Sequence, residues 1–119
     1  MTMVGSFEAF LLILQLQLTA AERAEGIAYA VETPIPAGTL LRFPGTVIDL
    51  PAEAYLAFID RQPTANWGHP ARYVLVRRKS GDVSSVEARL PPFGERANLR
   101  WRVVYRAPSI PDAAGALPQ

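Results

Sequence analysis

Two strand-forming runs joined by a four-residue turn constrain this chain more than any other feature. Residues 73–78 read YVLVRR, residues 83–90 read VSSVEARL, and Lys79-Ser80-Gly81-Asp82 lies between them. β-Branched and aromatic side chains suit a pleated backbone, and a turn glycine supplies the positive φ that a tight reversal needs. Pro91-Pro92 then closes the second run, because proline has no N–H to offer a ladder. A β-hairpin is the expectation here. Since an isolated hairpin is marginal in water, the rest of the chain must supply more strands or a covering layer.

Further strands follow from the same patterns. Residues 39–43 and 46–50 flank Pro44-Gly45, the pair that suits the centre of a type II turn with Gly45 at positive φ. Residues 99–106 alternate: Trp101, Val103 and Tyr105 on one face, Arg100, Arg102, Val104 and Arg106 on the other. Pro34 and Pro36 force residues 33–38 to run extended and then turn.

Three segments admit two readings each. In residues 10–18 (FLLILQLQL), Leu14, Leu16 and Leu18 alternate with Gln15, Gln17 and Thr19, which predicts a strand with one face buried. The rival is a helix over residues 7–18 with Phe7, Phe10, Leu11, Leu14 and Leu18 on one stripe. The segment also resembles a secretory leader, but no Lys or Arg precedes Arg23 and Glu8 stands where a positive charge belongs. Thr19 and Glu22 have capping-box spacing, predicting a helix over about residues 20–31; the alternative makes residues 27–32 a strand. Pro51 and Glu53 look like a helix start ended by Pro63, against a strand over residues 54–59.

The expected fold is a single α+β domain over residues 1–106. It is an antiparallel sheet of about five or six strands with one or two short helices packed on it, and an all-β sandwich or barrel is the alternative. Residues 107–119, rich in Pro, Ala and Gly, form a tail expected to pack on the body or on a partner.

Composition narrows the chemistry. The absence of cysteine excludes disulfides, thiolate-bound metals and a cysteine nucleophile, and one histidine excludes a histidine-rich metal site. No Walker or dinucleotide fingerprint is present, so neither metal nor cofactor is expected. The formal net charge of +1 hides a division. Residues 1–60 hold two Arg against seven acids, and residues 61–119 hold ten basic residues against four acids, a net of −5 against +6.

Arg presents a planar fork that binds phosphate or carboxylate through two hydrogen bonds, so Arg72, Arg100, Arg102 and Arg106 suggest an anion-binding face. Trp101 and Tyr105 add a weaker single-stranded nucleic-acid reading for residues 72–106, but strand parity places them opposite the arginines. His69 is the only side chain with an unperturbed pKa near neutrality and lies in the loop 64–70 with Asn66 and Trp67. It is the candidate general base, with Asp60, Asp49 or Glu53 to orient it, Asn66 as a polar anchor and Arg61 or Arg72 to hold an anionic substrate. Trp67 either covers the end of the core or walls a pocket.

The functional expectation is a small binding or interaction module. It self-associates through the apolar N-terminal segment or the tail and takes a small anionic ligand near residues 66–69. A cofactor-independent enzyme using His69 is the alternative. No nucleic acid or membrane partner is expected, and the location is cytoplasmic, or secreted or periplasmic if residues 1–21 act as a leader.

Overall fold

A computed structural model describes residues 3–61, 70–90, 92 and 99–110. Its elements in chain order are α1 (Phe7–Gln17), α2 (Ala20–Glu25), β1 (Ile27–Val31), β2 (Leu40–Phe43), β3 (Thr46–Asp49), β4 (Ala54–Asp60), β5 (Ala71–Arg77), β6 (Val83–Ala88) and β7 (Trp101–Arg106). Five strands form an antiparallel sheet in the order β6-β5-β4-β1-β7, and β2 and β3 form a separate hairpin. The α+β expectation holds, and the two helices set aside the all-β alternative.

The sheet is the middle of three layers. On one face Phe10 and Leu14 of α1, with Val4 and Leu18, cover Ala28, Ala30, Tyr55, Ala57, Ile59, Val74 and Val76. On the other face Leu41, Phe43, Ile48 and Leu50 of the β2–β3 hairpin cover Tyr29, Leu56, Phe58, Tyr73 and Trp101. Gly45 has φ +71° at the hairpin turn, as the Pro44-Gly45 pair predicts.

Three expectations are corrected by this layering. Residues 7–17 are helix, not strand: Ser6 caps the segment by accepting from the Ala9 N–H at 3.1 Å, and only Phe10 and Leu14 are fully buried within it. Apolar residues surround the whole helix, so the Leu/Gln alternation imitated period two. Residues 54–60 are strand, not helix, because β4 is central and buried on both faces and so shows no alternation. The capping box at Thr19 and Glu22 is real, but the helix it starts ends at Glu25 and β1 follows, so the two readings each hold for half of the segment.

Strand β7 corrects a fourth. A bulge opposite Ala28 and Tyr29 shifts its register, so Tyr29 pairs with Val103 while Ala28 pairs with Tyr105. Beyond the bulge the faces exchange. Tyr105 joins the α1 side, where its hydroxyl donates to the Arg23 carbonyl, and Arg106 sits opposite Ile27 on the hairpin side. At the start of the tail, Ala107 donates to the Gly26 carbonyl at 2.9 Å and Ile110 packs on the hairpin-side core.

Candidate functional site

The end of the sheet where β4 finishes and β5 begins holds the candidates Asp60, Arg61 and Arg72. Register places Asp60 between Ile27 and Ala71, and Ala71 opposite Ala88. Ala71 and Ala88 belong to the hairpin-side core at this end. A groove of about 550 Å³ remains between the Pro44-Gly45 turn, Pro70 and the end of β6, with Glu87, Arg89 and Leu90 along it. That volume falls in the range of small-molecule pockets, about 300–1,000 Å³.

Asp60, an expected orienting carboxylate, is buried at 6% exposure. Its neighbour Tyr29 is buried too, and its hydroxyl finds no hydrogen-bond partner among the described residues. Burial pushes the Tyr29 phenol up to about 12, and the negative charge of Asp60 adds to the shift. Asn66, Trp67 and His69 lie outside the described residues. Asp60 pairs with Ala71 and so brackets that segment, and Pro70, the residue after His69, lines the groove.

The arginines do not come together as one surface. Arg72 lies on β5 and Arg102 on β7, with β4 and β1 between them. Both point to the α1 side, at opposite ends of that helix. Arg72 donates to the Gln17 carbonyl at 2.7 Å, whereas the Arg102 guanidinium sits 5.4 Å from the Phe7 ring centre. Arg72 is occupied: its Nε and Nη2 donate to Glu22 Oε2 and Oε1 at 2.8 and 2.9 Å. Burial alone would raise the Glu22 pKa. Hydrogen bonds from Arg72 and the Thr19 N–H, with the charges of Arg72 and Arg61, outweigh burial and hold it below the usual value. Arg102 forms an exposed ion pair with Glu32 at 3.1 Å, and Arg100 is exposed just before β7.

One apolar surface lies on the N-terminal segment already named as a candidate for self-association, here as a helix face and not a strand face. The outer side of α1 presents Leu12 at 72% and Leu16 at 80% exposure. The signal for it is present in the sequence as a helix apolar on every side, which one flat sheet cannot cover completely. Nothing in the sequence marks the groove residues Glu87 and Arg89, because their meeting with Pro44 depends on how the hairpin lies across the sheet. No helix among the described residues is long and apolar enough to cross a membrane. No protein-family model, curated protein or solved structure matches the chain.

Proposed function

We propose that the protein is a small binding module that pairs with a second copy of itself through the outer face of α1. The exposure of Leu12 and Leu16, one turn apart on a helix already anchored by Phe10 and Leu14, carries this reading. Charge favours a second copy as the occupant. Glu8 is the only charged residue of α1 and sits in its first turn, while Arg23 reaches the Gln15 carbonyl at the other end. A two-fold antiparallel pairing sets the leucine stripes together and brings each Glu8 to the Arg23 end of its partner.

An 11-residue helix is about 16 Å long, so this contact is smaller than the roughly 800 Å² per partner of a standard interface. A dimer with micromolar affinity follows. Cytoplasmic residence belongs to the same proposal, since residues 7–17 serve as a structural layer of the fold.

Sedimentation equilibrium tests it. The wild-type chain is expected to dimerise between about 1 and 100 µM, a span taken from the affinity scale of weak interfaces. Leu12→Gln with Leu16→Gln should give a folded monomer. Glu8→Arg or Arg23→Glu alone should weaken the dimer, and the two together should restore it. A wild-type monomer throughout that range overturns the proposal.

A second reading rests on the groove beside Pro70. With Arg89 along it and His69 one residue from Pro70 in sequence, it supports a small anionic ligand served by Asn66, Trp67 and His69, including the general-base role of His69. A ligand response unchanged by His69→Ala removes that role.

A further inference from the structure

At the opposite end of the sheet from Asp60 lies a second concavity of about 590 Å³. Pro36, Pro51 and Ala52 line it together with Glu53, Arg77 and Lys79. Its walls are tied to one another through the backbone. Ile35 and Ala54 exchange hydrogen bonds of 2.8 and 3.1 Å, and Gly38 N donates to the Leu50 carbonyl at 2.7 Å. Arg78 N donates to the Glu53 carbonyl at 3.0 Å, which joins the β5–β6 turn to the loop that carries Pro51. The turn is closed in both directions, by Gly81 N to the Arg77 carbonyl and Arg77 N to the Asp82 carbonyl, each at 2.8 Å. Two prolines of fixed φ and this ladder leave little for a ligand to organise.

The charges are uneven. Glu53 is the carboxylate of the groove, and the Arg78 guanidinium takes it at 3.1 Å. Arg77 and Lys79 are both exposed, and neither side chain has a hydrogen bond or an ion pair among the described residues. Two unpaired cations therefore face an apolar, proline-walled surface. One is a planar fork suited to two parallel hydrogen bonds, the other a compact point charge; together they match a dianion better than a single carboxylate.

We propose that this groove binds a phosphate monoester with an apolar organic group. The phosphate lies between Arg77 and Lys79, and the organic group lies against Pro36, Pro51 and Ala52. The proposal is independent of self-association, because α1 contributes nothing to the groove.

Amide-resolved NMR titration with phenyl phosphate and with inorganic phosphate, at constant ionic strength set by sodium chloride, tests it on both the wild-type chain and the Leu12→Gln/Leu16→Gln variant. Shifts are expected to concentrate in the amides of Ala37, Ala52, Glu53 and residues 77–81 in both proteins, since Pro36 and Pro51 carry no N–H. Phenyl phosphate should bind at least fivefold more tightly than inorganic phosphate. Arg77→Gln with Lys79→Gln should weaken both ligands at least tenfold, and since both residues are exposed the variant should keep the wild-type fold. Shifts scattered over all the basic residues, or wild-type affinity in the double variant, overturn the proposal.

Discussion

Arg72 on β5 grips Glu22 in the first turn of α2 through Nε and Nη2, and the same Nη2 also donates to the last carbonyl of α1, that of Gln17. One side chain of the sheet thereby fixes the end of one helix and the start of the next. Glu22 is 2% exposed and also accepts from the Thr19 N–H at 2.8 Å, so its carboxylate is fully occupied. The acidic first half and the basic second half of the chain meet at this point, which makes part of the charge division an internal pairing.

Removing one partner leaves the other charge buried without its ion-pair partner. Arg72→Met is expected to lower stability by about 3 kcal/mol, measured by urea denaturation at neutral pH. Glu22 should make stability fall with acid. Its pKa is lower in the folded chain than in the unfolded one, so its contribution is complete above the unfolded value and disappears as pH drops through the folded value. In Glu22→Gln that part of the acid dependence should vanish. An acid profile identical to wild type would show that the carboxylate is not held below its usual range.

Tyr29 gives the opposite sign. Its phenol is raised to about 12, so the neutral form is favoured in the folded chain and stability is lost as pH climbs from the ordinary tyrosine range through that value. Absorbance at the phenolate band should show one tyrosine titrating near 12, or only on unfolding. Because the buried hydroxyl has no partner among the described residues, Tyr29→Phe should be neutral or stabilising by up to about 1 kcal/mol. A loss of more than about 1 kcal/mol would mean that the hydroxyl contributes a hydrogen bond worth keeping.

The two sides of α1 should respond differently to truncation. Leu14 is buried against the sheet at 1% exposure, so Leu14→Ala should cost about 3 kcal/mol. Leu12→Ala, on the outer side, should stay within about 0.5 kcal/mol when measured at concentrations low enough to keep the chain monomeric. Equal costs at the two positions would contradict a helix with one face on the sheet.

How far the sequence speaks follows from the same residues. Alternation and turn chemistry located β5, β6, β7 and the β2–β3 hairpin, because each has one face more exposed than the other or a turn that only certain residues make. The period was silent where burial is two-sided: Tyr55, Leu56, Phe58 and Ile59 are all buried, on a strand between two others, and so lack a polar side. It misled at α1, where Leu16 is exposed although its spacing suggested the core. Asp60 was legible as a candidate but its burial beside Tyr29 was not, since that arises from pairing across strands far apart in sequence. The bulge in β7 is likewise invisible in residues 99–106, and it alone moves Tyr105 and Arg106 to the opposite faces.

Gly26 lies at the junction of α2 and β1, where the helix must turn directly into the sheet. A Cβ placed there would stand 2.9 Å from both the Glu22 and the Asp60 carbonyl oxygens, closer than such contacts occur. Both atoms are backbone, one in the helix end and one in β4, so neither can rotate aside. Its N–H caps α2 by donating to Glu22 at 2.8 Å, and its carbonyl receives the Ala107 N–H. Gly26→Ala must therefore push α2 away from β4 and should cost about 1–3 kcal/mol, the range for overpacking in a tight site. Because Glu22 and Asp60 are the residues displaced, the same substitution should also bring the Tyr29 titration and the acid dependence due to Glu22 closer to their unperturbed values. A Gly26→Ala chain with wild-type stability would show that α2 and β4 do not approach this closely in solution.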